Sequence, residues 1–337
     1  LPFYLGPMLV ILLWDRILVK LVKIKQYHRI NSIADFIAAR YNRSQPLAAL
    51  VTIIAFIGIA PYIALQFKAI LSSINIILDH SNEASSTIIN YLGPIIVILM
   101  ISFTIIFGVR RLDPTERHQG MVVSIAVESV IKLVAFLSIG IFVCYILFDG
   151  IDDVFMHWQN EHPFSKLTSS IHPNDVPLDL WITYLILGAS SILFLPRQFH
   201  IAVVENSNVD HIRTSKWLFP LYLFLINLFI LPVALAGLTK GLSISEADLF
   251  VISLPVQFGS SFLTLLVFIG GFSAATSMIM ISSMTLSTMF TNHILLPVLE
   301  MLPWLGFLRV QILKFRWFAV AAVILLGYWF EQSQGSS

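Results

Sequence analysis

The sequence predicts an all-α integral membrane protein with about eight transmembrane helices, and three observations carry that prediction. The composition is 57% hydrophobic and only 12% charged, where soluble domains carry roughly 25% charged residues. Apolar stretches of about 20 residues, the length that crosses a bilayer as a helix, recur between polar, Pro-rich or charged segments. Lys and Arg gather in alternate connecting segments, as retention of positive charge on the cytoplasmic side requires.

Taken in order, the spans are expected near residues 1–22, 46–78, 91–109, 120–148, 178–200, 217–239, 250–290 and 312–330. The second and seventh exceed a simple crossing, so they must tilt, bend or begin as short interfacial helices, with Pro61 and the Gly270-Gly271 pair as candidate bending points. Of the 20 basic residues, only Lys166 and Lys240 fall on the acidic set of loops. The opposite set holds Arg16 to Arg43, Arg110, Arg111, Arg117, Arg197, Arg213, Lys216, Arg309, Lys314 and Arg316. The basic set is therefore expected in the cytoplasm of a multi-pass bacterial inner-membrane protein, with both chain ends extracytoplasmic. The chain starts inside an apolar segment and is expected to be a piece of a longer protein.

Two connecting segments have character of their own. Residues 29–44 read as a basic, weakly amphipathic interfacial helix on the cytoplasmic face, with Ser32 near its start. Residues 149–179 form a long extracytoplasmic loop carrying His157, His162 and His172. Their spacing matches no metal pattern, so no metal site is expected. The single cysteine, Cys144, lies in an apolar run and reads as a packing residue.

Charges inside the spans are costly, about 2.5–3.5 kcal/mol each at the bilayer centre, and so are informative. Glu128 and Lys132 stand one turn apart on one helix face and are expected to form a structural ion pair. Lys68 has no local partner, and Gln66 beside it adds hydrogen-bonding groups. In the fifth span Gly188, Ser190, Ser191 and Pro196 disfavour a continuous helix, and Arg197, Gln198 and His200 follow at once. Either the helix breaks and exposes backbone groups to a solute, or it ends at the interface; the residues leave both readings open. The stretch 262–292 carries Gly270, Gly271, Ser273, Thr276, Ser277, Ser282, Ser283, Thr285 and Ser287 along an apolar helix. Such a seam serves close packing or lines a path. No phosphate loop, nucleophile elbow or HExxH pattern is present, so no catalytic residue is expected.

Four stretches together resemble the sodium:solute symporter family: residues 31–70, 110–136 (RRLDPTERHQGMVVSIAVESVIKLVAF), 194–208 (FLPRQFHIAVVENSN) and 270–278 (GGFSAATSM). In wording they are most similar to the symporter-like membrane domain of certain bacterial sensor histidine kinases. The resemblance implies a LeuT-like inverted-repeat bundle, of which this chain would supply core helices two to nine as one domain truncated at both ends. It implies a carrier that binds a small organic solute, an amino acid or carboxylate, and moves it by alternating access, with Na+ or H+ as coupling ion and no other cofactor. The alternative implied is an input domain for a kinase module elsewhere in the full-length chain. Gln66, Tyr62, Ser191, Phe194, Gln198 and Ser277 are the implied solute contacts. The family's sodium-binding hydroxyl pair falls on Ala274 and Ala275, leaving Ser273, Thr276 and Ser277 as the nearby oxygen donors.

Overall fold

The computed structural model describes residues 2–81, 86–109, 118–161 and 178–335, and every regular element among them is helical. In chain order these are α1 (Pro2–Leu12), α2 (Trp14–His28), α3 (Ile33–Arg40), α4 (Gln45–Ser81), α5 (Ser86–Gly108), α6 (Gln119–Phe142), α7 (Ile151–Glu161), α8 (Leu178–Phe194), α9 (Pro196–Phe199), α10 (Asp210–Asn227), α11 (Ile230–Thr239), α12 (Phe250–Gln257), α13 (Ser261–Phe290), α14 (Leu296–Met301) and α15 (Ile312–Gly335). Three helices run on into π turns: α6 into Val143–Leu147, α9 into His200–Val204 and α13 into Thr291–Leu295. His162, His172, Lys166 and most of the expected 149–179 loop lie outside the described residues, as do Arg110, Arg111 and Arg117.

Among the described residues six helical segments are long and apolar enough to cross a membrane, and α8 with α9 makes a seventh if the 47° bend between them belongs to one span. The expected count of eight is thus corrected at its first member. In place of one span over 1–22, residues 2–28 fold as two helices interrupted at Leu13, and the second carries Arg16, Lys20, Lys23 and Lys25, too many charges for a crossing segment. The seventh expected span also divides. Its first part is the short α12, which ends before Gly259, a residue at φ +69° where side-chain-bearing residues are strained. Neither expected bending point interrupts its helix: α4 continues through Pro61 and α13 through Gly270-Gly271. At 37 residues α4 is about 55 Å long, well beyond the ~30 Å apolar core of a bilayer.

Within the 29–44 segment, α3 begins where Ser32 accepts the Asp35 backbone N–H at 3.0 Å, while Asp35 Oδ2 accepts the N–H of Asn31 at 3.0 Å. This reciprocal cap satisfies two donors that a helix start otherwise leaves free.

The centre of the bundle is α13. From Ser273 to Met289 nearly every residue is buried, whichever way it points, because α4, α5, α6 and α15 surround it. Some of its hydroxyls turn back on the helix, as Ser283 does to the Ile279 carbonyl at 2.6 Å and, just beyond it, Thr291 to Ser287 at 2.8 Å; Ser287 reaches across to the Arg316 carbonyl at 2.8 Å, and Ser282 and Thr285 are buried without a partner among the described residues. Residues of this kind are small enough to admit close neighbours, and Ser283, Ser287 and Thr291 keep their own polar groups satisfied. On the outside, Ile95, Ile98 and Ile106 of α5 and Val123, Val127 and Val130 of α6 are exposed, an apolar surface suited to lipid.

Candidate functional site

A cavity of about 820 Å³ opens between α4, α6, α10, α12, α13 and the 3-10 turn Ile244–Leu249, within the range of roughly 300–1,000 Å³ typical of small-molecule sites. Helical periodicity explains each wall. On α13, Val267, Gly270, Gly271 and Ala274 fall on one stripe; on α6, Lys132, Ala135 and Phe136 do so. Gln66, Ala69 and Ser73 form the matching stripe of α4, and Tyr222, Ile226 and Asn227 that of α10. The two glycines have different tasks. A methyl group on Gly270 would collide with Ala135 Cβ, so this glycine brings α13 against α6, whereas one on Gly271 would meet nothing within 4 Å.

Lys68 and Lys132 both line the cavity, and Glu246 and Asp248 of the 3-10 turn supply carboxylates to the same space. Among the described residues neither lysine is within ion-pair distance of an acid. The expected Glu128–Lys132 pair is therefore corrected. Lys132 extends to the cavity, and the Glu128 carboxyl is buried beside Ser124 and Ser277 rather than turned to the lysine. Four-residue spacing put the two charges on one face, but each found a better environment across the helix interface than along its own helix. Glu128 Oε2 has no partner among the described residues.

Of the other sequence-implied contacts, Gln66 lies in the cavity wall. Tyr62, one turn earlier on the same face of α4, lies beneath the Arg197 guanidinium at 3.7 Å. That contact joins α4 to the break in the fifth span, where Leu195 is extended (ψ 130°) and Pro196 has no N–H to continue the ladder. Arg197 Nε and Nη1 are buried without a partner among the described residues. Ser191 donates to the Gly188 carbonyl at 2.8 Å, Gln198 is half-buried, and Phe194 is 64% exposed; none of the three lines the cavity. On α13, Thr276 donates to the Phe272 carbonyl at 2.8 Å and Ser277 to that of Ala274 at 3.0 Å, with Ser273 also buried. Ala274 lines the cavity and Ala275 is buried.

A second polar centre forms from residues whose spacing gave no signal. His118, just before α6, donates its backbone N–H to Glu205 Oε2 at 2.8 Å, and its Nδ1 lies 2.9 Å from Glu205 Oε1. His200 Nε2 lies 3.1 Å from the same oxygen. Burial pushes the Glu205 carboxyl up, but the hydrogen bonds from His118 and His200 outweigh it and hold the group at about 2. Sequence inspection noted His200 and missed His118 and Glu205. The π turn that stacks Glu205 over His200 has no composition signature.

The chain is 24% identical over 229 residues to the uncharacterized symporter YodF of Bacillus subtilis (strain 168), a match covering 67% of this chain and 41% of that protein. No family model matches the chain, and no solved structure matches it. The chain spans about two-fifths of the length of that relative. With its set of long apolar helices, it is a multi-pass membrane protein, transporter-like and similar to a symporter.

Proposed function

We propose that the chain is the membrane domain of a secondary carrier that binds a small carboxylate-bearing solute, amino acids first among them, in the cavity between α4, α6, α10 and α13. The observation that carries this reading is the cavity itself: a space of small-molecule size in which Lys68, Lys132 and Gln66 meet the acids Glu246 and Asp248. Cations and carboxylates in one space complement a zwitterion. Fixed polar groups in a mostly apolar wall supply orientation, while the wall excludes water.

Coupling follows from the neighbouring α6–α13 contact. Glu128 is a buried carboxyl inside a crossing helix, beside Ser277 of α13 and without a partner at Oε2 among the described residues. A proton or Na+ taken up there would neutralise a charge that is costly at this depth. Because Ser277 lies one turn from the cavity-lining Ala274, occupancy at Glu128 would be felt along the solute wall. The broken span α8–α9 supplies the moving part, since its two halves meet at a single extended residue.

The test is uptake of labelled amino acids and carboxylates by the full-length protein in proteoliposomes, with and without imposed Na+ and H+ gradients. Gln66→Ala and Lys132→Met should weaken solute binding, and Glu128→Gln should leave binding intact while removing the response to the gradient. Binding indifferent to both cavity substitutions would refute the site, and uptake indifferent to both gradients would refute coupling.

A further inference from the structure

The cluster of His118, His200 and Glu205 is separate from the solute cavity, and no step of the proposed carrier uses it. Their side chains are 7%, 0% and 4% exposed. Each offers one ligand atom, and the three atoms lie within 4.8 Å of one another. Two imidazoles and a carboxylate are a donor set that suits Zn2+ and similar divalent transition ions, with a fourth position left for water. Donors at about 2.0–2.1 Å from a tetrahedral Zn2+ stand about 3.3 Å apart. The Nδ1–Oε1 and Nε2–Oε1 separations of 2.9 and 3.1 Å differ from that by only a few tenths of an ångström.

The surroundings favour a bound ion over a merely hydrogen-bonded trio. Both rings converge on one carboxylate oxygen, Oε1, while Oε2 is already held by the His118 backbone N–H. That backbone bond orients the carboxylate as an outer-shell partner orients a metal ligand. The ring atoms pointing away, His118 Nε2 and His200 Nδ1, have no partner among the described residues that would keep a proton off them. With no ion bound the near nitrogens donate to Oε1, and binding an ion would move each ring's proton to its far nitrogen and present a lone pair. The π turn closes by the Glu205 N–H to the His200 carbonyl at 2.9 Å, which places residues five apart one above the other and makes two ligands of one local element.

We propose that His118 Nδ1, His200 Nε2 and Glu205 Oε1 form a binding site for a divalent transition-metal ion of the Zn2+ class, clamping the start of α6 to the inner half of the broken span. The test uses chelator-treated, purified full-length protein in detergent, titrated with Co2+ and then Zn2+. One Co2+ per chain should bind with the visible absorption of a low-coordinate site and be displaced by Zn2+, and Zn2+ should raise the unfolding temperature. His118→Gln, which keeps a donor to Glu205, and His200→Ala should each weaken Co2+ binding at least 100-fold and abolish the thermal shift. His157→Ala, which removes an exposed histidine, should change neither. Absence of the absorption in the wild-type protein would overturn the proposal, with no variant needed. A band and thermal shift that survive His118→Gln would overturn it equally, because the ion would then be held by other residues.

Discussion

The contact between α6 and α13 rests on one missing methyl group, and a double-mutant cycle can measure it. In Gly270→Ala the new Cβ would overlap Ala135 Cβ, far inside the ordinary 3.4–4 Å contact distance, so the two helices must separate or tilt. Overpacking of this kind costs about 1–3 kcal/mol, while alanine in place of a helical glycine returns up to about 1 kcal/mol of intrinsic helix preference. The clash is the larger effect, so the single variant should be destabilised by about 1–2 kcal/mol. Ala135→Gly on its own loses helix preference and leaves a small gap. Combining the two restores one methyl at the interface, and because the intrinsic terms cancel around the cycle, the remainder is the contact itself. A coupling of about 1–3 kcal/mol in the favourable direction is expected from reversible unfolding of the purified full-length protein. Gly271→Ala serves as the internal contrast, since its methyl would meet nothing within 4 Å and should cost no stability. Coupling below about 0.5 kcal/mol, or equal losses at positions 270 and 271, would refute the assignment of Gly270 to packing and of Gly271 to the cavity wall.

Three further outcomes are expected from single substitutions. Ser287→Ala leaves the buried Arg316 carbonyl without the hydroxyl that now donates to it, and stability should fall by about 1 kcal/mol in the same unfolding assay. Trp317→Phe removes the 2.8 Å bond from the indole N–H to the Val109 carbonyl at the end of α5 and should cost a similar amount, with faster hydrogen exchange at residues 105–109. Tyr62→Leu takes the aromatic face from beneath Arg197, a contact worth about 0.5–2 kcal/mol, and should make the 195–197 break more susceptible to exchange.

Much of the architecture was legible because lipid imposes a simple rule: a long apolar helix must cross it. The same averaging explains the failure at residues 1–22, where apolarity summed over the stretch concealed the basic residues of α2 and the interruption at Leu13. The fifth span was legible as a locus of disruption, since Pro196 cannot continue a helix ladder, but its fate as break or terminus depended on Tyr62 arriving beneath Arg197 from another helix. Glu128 and Lys132 show where local spacing misleads. The spacing puts both side chains on one helix face but does not say what packs against that face, and the α6–α13 contact and the cavity exist only after packing. Gln66 stands out because a polar residue in an apolar run needs a reason and Lys68 beside it sharpens the question, whereas Tyr222 and Asn227 lie inside the 217–239 span with no charge next to them, and Glu246 reads only as a loop acid. His118 and Glu205 are 87 residues apart, and no periodicity connects them.

The π turns that extend α6, α9 and α13 have a consequence for the history of this chain. A π turn holds one residue more than an α turn, so each is an ordinary helix carrying a single-residue insertion. Only the third runs on into a further helix, α14; deleting one residue there would let α13 continue as an ordinary helix and would swing α14 through about 100°. In the third, this would carry His293 away from Ser32, whose hydroxyl it meets at 3.1 Å, without unfolding either helix. A one-residue change of length at 291–295 would therefore exchange the inward-facing side chains of α14 for another set while keeping α13 in place.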